Sequence, residues 1–515
     1  MEPKHPPREI SPKAGRPGER PERGRLRPDE LDRSALKELF EASGDVNIHL
    51  FYEQGDAPSG LNPLLVYCDG MIDSAQLNDF LYHQLPWLLS GDSGDGAPSE
   101  TELPLRSRNL YRIEGHDAVD NLIQQVFSGN LVLFFEETKG IHVFQMAAPP
   151  QRTPDESNTE ISIKGPRDGF TEAIDTNIAL VRKRLKTTTM GVEYFHIGTR
   201  SATSVALLYM TDITNRDLLD EARRRIRNID IDGVLSSQLL EGALSDSTYS
   251  LFPLIEYMGR PDYIAAGLLR GRFAIVVDGS PMVLIAPSNI MTLLKSPEDM
   301  HLPFYYVALE RLLRVIGLVV AIFFPGFWVA ISAYNLDQIP FPLLATIVVA
   351  RLGLPLSGPV DLFLMIGLFE LFREAGMRLP KAVGQTVAVV GGLIVGEAAI
   401  NAGLTGPTTL VVAAITAVAT FTLVNQSLSG AVTFIRLIVL IFSCLFGMLG
   451  FFLSVFLIVV YLSSLTSFGI PFLSPLSPIR FKEAAFALLK FPRNRYKKRP
   501  GMNGPIDDTR QGEKS

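Results

Sequence analysis

The most conspicuous chemical group in this 515-residue sequence is an acid inside an apolar stretch: Glu397, within residues 382–404. At 100° per residue, Thr386, Val390, Leu393, Glu397 and Asn401 share one face of a helix. Gly384, Ala388, Gly392, Gly396 and Ala399 fall on the opposite face, where the Gly392/Gly396 spacing lets a neighbouring helix approach closely. An isolated carboxylate in lipid is costly, so Glu397 is expected to face protein or water. Two roles stay open: a protonated, hydrogen-bonded member of a bundle, or the wall of an aqueous path.

Two polar turns are the other candidates. In Gly165-Pro166-Arg167-Asp168-Gly169-Phe170 the glycines and proline make a tight turn, and Asp168 is placed to cap a following helix. Arg167 carries the planar fork suited to a carboxylate across a subdomain seam or subunit interface. Gly259-Arg260-Pro261-Asp262 reads as a second helix start, with Asp262 near its N-terminus. Catalytic signatures are missing: there is no GxxxxGK[ST], HExxH or GxSxG. Seven histidines are scattered, and Cys68 and Cys444 have no CxxC spacing. The expectation is a non-enzyme with no metal and no cofactor. A net charge of −6 and a pI near 5.8 argue against a nucleic-acid partner.

The elements that would carry these groups divide in two. Residues 304–466 hold 13 charged residues in 163, against 89 in 352 elsewhere. The first figure, with apolar runs of about 20, describes a membrane domain; the second is ordinary for soluble protein. The fold class expected is therefore a multidomain α/β cytoplasmic region followed by an all-α polytopic membrane domain. Residues 1–30, rich in proline and charge, read as a disordered tail. Residues 31–148 read as a first α/β subdomain, 149–158 as a linker, 159–298 as a second α/β subdomain, and 467–515 as a basic tail.

In the first subdomain, 74–89 reads as a helix interrupted at Pro86, and 131–136 and 141–148 as strands. In the second, Ile174, Ile178, Val181 and Leu185 have helical spacing. There Asn215 is a cap candidate, and Gly279-Ser280-Pro281 closes a hairpin. Helical spans are expected at 304–334, 382–404, 407–424 and 432–465, with 339–372 broken by four prolines. Asp361, Glu370, Arg373, Glu374 and Arg378 need mutual ion pairs or an interfacial position. Basic residues after the last span favour the cytoplasm, and the N-terminal region is assigned there too. Two cytoplasmic ends require four or six spans, which puts basic residues 373–381 outside against the rule; five spans stay open.

Several long blocks resemble the A subunits of GerA-type spore germinant receptors. They are IKGPRDGFTEAIDTNIALVRKRL, RPDYIAAGLLRGRFAIVVDGSPMVLIAP, FELFREAGMRLPKAVGQTVAVVGGLIVGEAAINAGL and SFGIPFLSPLSP, collinear over about residues 160–480. The resemblance implies a cytoplasmic two-part N-terminal domain and a membrane domain in the spore inner membrane. It implies a transporter-like B subunit and a lipoprotein C subunit as partners, and lipid around the helices. It also implies a homo-oligomer, such as a pentamer, forming a nutrient-gated ion channel. Two alternatives stay open: a non-conducting scaffold subunit, and a stage V sporulation AF-type paralogue, which shares the architecture and amplifies ion release. Departures are Glu397, where the family often has Gln, and Met258-Gly259, where it usually has Thr-Glu.

Overall fold

The computed structural model describes residues 28–52, 62–89, 109–115, 117–150, 164–378 and 396–510. The first α/β unit runs α1 (Arg33–Leu39), β1 (Val46–Leu50), β2 (Leu64–Cys68), α2 (Ser74–Asp79), α3 (Leu85–Leu89), β3 (Leu110–Ile113), α4 (Ala118–Val126), β4 (Leu131–Phe135) and β5 (Gly140–Phe144). Its sheet is antiparallel in the order β1-β2-β4-β5-β3. The second unit runs α5 (Ile174–Arg182), β6 (Met190–Ile197), β7 (Thr203–Met210), α6 (Arg216–Arg227), α7 (Ser237–Leu244), β8 (Glu256–Met258), α8 (Pro261–Leu268), β9 (Phe273–Val277) and β10 (Val283–Ala286). Its sheet is antiparallel in the order β6-β7-β9-β10-β8. The two units therefore share one element sequence and one strand order.

Both faces of each sheet are covered. Val66 and Phe134 pack with Leu36 and Phe40 on one side of the first sheet; Leu65 and Leu133 pack with Phe80 and Leu88 on the other. That is why Leu131–Phe135 and Phe273–Val277 are unbroken apolar runs instead of alternating ones. The expected break in 74–89 is present but lies before Pro86: a π turn at Phe80–Gln84 joins α2 to α3, and Pro86 sits in the first turn of α3. The π turn carries the backbone ladder to Leu85, whose N bonds Phe80 O, just ahead of the residue that has no N–H to give. Asn215 caps α6 through Asp217 N at 3.0 Å, and β9 and β10 form the expected hairpin.

The units are joined at a buried seam. Val192 N donates to Ala42 O at 2.8 Å and Gly44 N to Val192 O at 3.2 Å. Gly44 is required by proximity: a Cβ there would lie 2.6 Å from Val192 O. Beside this contact Arg182 of α5 is fully buried against Asp45, which precedes β1.

A short helix α9 (Ile290–Leu293) leads to the helical part. It comprises α10 (Phe304–Val329), α11 (Phe341–Arg351), α12 (Gly358–Arg378), α13 (Gly396–Asn401), α14 (Pro407–Phe421) and α15 (Gln426–Ser464). Among the described residues two helices are long and apolar enough to cross a membrane: Phe304–Tyr334, which is α10 continued by a π turn, and α15. They pack together through Leu318, Ala321, Ile322, Val432, Ile435 and Val439. α15 is broken at Gly447 (φ 59°), where a Cβ would meet the Tyr334 ring at 2.8 Å. Its outward residues Leu445, Phe446, Leu449, Phe452 and Phe456 are all exposed.

After α15 the chain turns back through a small hairpin, β11 (Thr466–Ser467) and β12 (Ile470–Pro471), and continues through α16 (Phe481–Leu488). This basic segment is not a loose extension. Phe468 and Phe472 are buried, Ile506 N donates to Ile213 O at 2.8 Å, and Asn503 Nδ2 donates to Arg270 O at 2.9 Å.

Candidate functional site

The two polar turns singled out in the sequence meet in space. Pro261 starts α8 and fixes Arg260 just ahead of it. Arg260 is 2 % exposed and grips Asp262 twice, at 2.8 and 3.1 Å. It also bonds Glu298, in the turn Pro297–Met300. The other Glu298 oxygen accepts from Lys164 N at 3.0 Å, one residue ahead of the Gly165 turn. His301 Nε2 lies 3.0 Å from Asp262 Oδ2. Gly165 fits against this cluster because it has no side chain: a Cβ would sit 2.3 Å from Arg260 Nη2 and 2.8 Å from His301 Cδ2. Phe170 N closes the turn on Gly259 O at 3.0 Å. Burial works to raise the Asp262 carboxyl, but hydrogen bonds from Arg260 and His301 outweigh it and hold the group below its ordinary value.

The cluster continues directly into the helical part. Asp299, next to Glu298 in the same turn, accepts from Arg311 Nε at 2.8 Å and Arg314 Nη1 at 2.9 Å, both on α10. Arg314 also donates to Leu294 O at 3.2 Å. From the far end of the chain, Lys490 bonds the carbonyls of Asp299 and Leu302. One buried turn thus ties the Gly165 segment, α8, the first apolar helix and the C-terminal segment together. Each carboxylate in the cluster is matched by an arginine, and Lys490 is satisfied by the two carbonyls. The arrangement holds these segments in fixed relation; among the described residues no group of His, Cys, Asp and Glu is disposed to hold a metal.

Other expected site residues lie differently. Asp168 does not cap a helix: α5 begins at Ile174, and Asp168 pairs with Arg184 beyond its other end. The chain needs several more residues, through Thr171 and its bond to Asn177, before the helix can start. Arg167 is exposed, while Pro166 and Gly169 complete the turn. Gly384, Thr386, Val390, Gly392 and Leu393 lie outside the described residues. Gly396 is buried, with room for a Cβ only 3.2 Å from Leu410 of α14; Glu397 and Asn401 are exposed.

The sequence reading overlooked two arginines. Arg182 is one of three consecutive basic residues, with Lys183 and Arg184, beside the apolar stripe of Ile174, Ile178, Val181 and Leu185, and its partner Asp45 is 137 positions away. Arg436, in the apolar helix α15, is 1 % exposed and pairs with Glu370 of α12; Glu370 also takes Arg373 at 2.6 Å. A lone arginine within a long apolar run was the available signal.

Residues 34–502 match the family described as Bacillus/Clostridium GerA spore germination protein. Spore germination protein XA of Bacillus anthracis is 40 % identical over 485 residues, covering 94 % of this chain and 97 % of its own length. Spore germination protein KA of Bacillus subtilis (strain 168) is 33 % identical over 448 residues, covering 87 % of this chain and 82 % of its own. The crystal structure of the N-terminal domain of the A subunit of the Bacillus megaterium spore germinant receptor GerK3 aligns with 28 % identity and a TM-score of 0.36. It covers 49 % of this chain and 92 % of that one. The match from 34 to 502, with relatives aligned almost end to end, places this chain in the GerA spore germination protein family.

Proposed function

We propose that this chain is the membrane-embedded A-type subunit of a spore germinant receptor, and that it assembles into a nutrient-gated ion channel. The observation that carries the proposal is the buried network from the Gly165 turn through Arg260, Glu298 and Asp299 to Arg311 and Arg314. It gives an α/β region a rigid handle on an apolar helix long enough to cross a bilayer. In this reading the α/β units and the basic C-terminal segment lie in the cytoplasm at the spore inner membrane. The partners are a transporter-like B subunit, a lipoprotein C subunit and further copies of this chain. Glu397 and Asn401, exposed in the single chain, line the ionic path with Thr386, Val390 and Leu393. Gly384, Gly392 and Gly396 serve helix packing.

The test is cation efflux from proteoliposomes holding the full chain with its B- and C-type partners, after addition of a nutrient panel. Asp299→Asn and Arg260→Gln are expected to abolish the nutrient response, read on complexes whose assembly is checked in parallel by native mass measurement. An intact, nutrient-binding complex that passes no ions would replace the channel by a non-conducting scaffold.

A further inference from the structure

Between α8, the start of α10 and the C-terminal segment lies a cavity of about 1300 Å³. Its chemistry is lopsided: twelve lining residues are Arg or Lys and three are Asp or Glu. The three acids are already matched, Asp299 by Arg311 and Arg314, Glu483 by Arg480, and Asp508 by Lys498. Arg270, Lys295, Lys482 and Lys497 make no ion pair among the described residues. Arg270 and Lys295 are half-buried, their open surface turned into the cavity. Burial, reinforced by Arg311 and by each other's charge, pushes Lys295 well below its ordinary range; burial also lowers Arg270. Cations gathered in this way repel one another and are desolvated, a cost that a bound anion would offset.

The remaining wall is apolar and aromatic, with Phe304, Phe486, Phe491 and Met502. The volume exceeds that of an ordinary small-ligand pocket. Phe304, at the start of α10, lines the cavity, and Phe304, Tyr305 and Tyr306 are exposed, as aromatic side chains are at a bilayer interface. Phe481 and Ile479 are exposed on the adjoining α16 segment.

We propose that this cavity is a binding site for a phosphate-bearing anion, seated on Arg270, Lys295 and Lys482 beneath the foot of the first membrane helix. Phosphate matches the hydrogen-bonding and charge of these groups. An anionic phospholipid headgroup and a soluble phosphate compound share that chemistry, and two arms of one experiment separate them. The full chain is placed in nanodiscs of phosphatidylcholine alone, or of phosphatidylcholine with phosphatidylglycerol. The first preparation is also titrated with inorganic pyrophosphate against sodium chloride of equal ionic strength. The readouts are the thermal midpoint and, by native mass measurement, retained lipid.

A rise with phosphatidylglycerol assigns the headgroup; a rise with pyrophosphate, beyond the salt control, assigns a soluble ligand. Arg270→Gln with Lys295→Gln should leave the probe-free midpoint equal or higher, because repulsion is relieved. The same pair should weaken the effective response about tenfold. Lys482→Gln, on the exposed outer wall, should weaken it with no change in folding. Failure of both probes to raise the midpoint above the salt control overturns the proposal, as does an unchanged response in the variants.

Discussion

Arg182→Met should split the two α/β units more than any other single change at their seam. The Arg182 side chain is fully buried and holds Asp45 with two bonds, at 2.8 and 2.5 Å. It donates again to Thr187 O at 3.0 Å and Met190 O at 3.2 Å, and its guanidinium lies 4.4 Å from the centre of the Phe127 ring. Methionine keeps much of the volume but leaves the buried Asp45 carboxylate with only the Cys68 thiol, at 3.4 Å, as a side-chain donor, and takes one donor from each of the two carbonyls. Removing one partner of a buried pair costs about 3–5 kcal/mol. At ~2–4 °C per kcal/mol for a unit of this size, the midpoint should fall by about 10 °C. Asp45→Ala should cost a similar amount. The double variant removes the orphan charge and should recover part of the loss, leaving about 1–3 kcal/mol for the carbonyls. The assay is thermal unfolding of the full chain in detergent, with limited proteolysis to locate the first cut. A loss below about 1 kcal/mol in either single variant, or strict additivity in the double, would refute the reasoning.

Three further outcomes are expected. His142 is fully buried in β5; burial, with Arg112 nearby, lowers its pKa to about 4. Its folded-state value lies below the unfolded ~6.5, so stability is whole above pH ~6.5 and falls by about 3 kcal/mol as pH drops toward 4; denaturant titrations of His142→Gln should show a flatter profile there. Gly165→Ala should displace Arg260 or His301 and lower the midpoint, while Pro166→Ala, on the exposed side of the same turn, should change it little. Glu397→Gln should reduce cation preference in reconstituted complexes and Glu397→Lys should tend to reverse it, read as reversal potential; normal conduction with unchanged selectivity in both would remove Glu397 from the pore.

The sequence exposed what is local. Continuous apolar runs such as Leu131–Phe135, the Asn215 cap and the turn before β10 are written in neighbouring residues, and each appears where the pattern puts it. Two of the four edge strands were illegible: Leu110–Ile113 and Glu256–Met258 are four and three residues long and carry a charge each, too little for a period of two to register. The shared strand order of the two units was hidden for a similar reason, since helix and strand lengths differ between them. At the site, the Gly165 and Arg260 turns were visible separately. Their meeting, and the addition of Glu298 and Asp299, depends on contacts distant in the chain, 134 positions for Lys164 with Glu298 and 38 for Arg260 with Glu298, which no periodicity reports.

The attachment of the C-terminal segment bears on how movement could pass between the two regions. α10 leaves the second α/β unit through Asp299, Arg311 and Arg314, and α15 returns to the same unit through β11 and β12. There Asp246, paired with Arg225, accepts from Phe468 N at 3.0 Å and from Thr466 Oγ1 at 2.7 Å. The Arg225 guanidinium stacks 4.3 Å from the centre of the Phe468 ring. The two long apolar helices, packed on each other through Leu318, Ile322, Val432 and Val439, are therefore both anchored to one α/β unit. A rotation of that unit would load both together. The Gly447 break lies beside the end of α10, where Tyr334 bonds Cys444 O. Glu370, bonded to Arg436 of α15 and Arg373 of its own helix, carries the same load into α12. The path from the Gly165 turn to α12 thus runs through matched ions and packed side chains at every step, the physical continuity that coupling between distant regions uses.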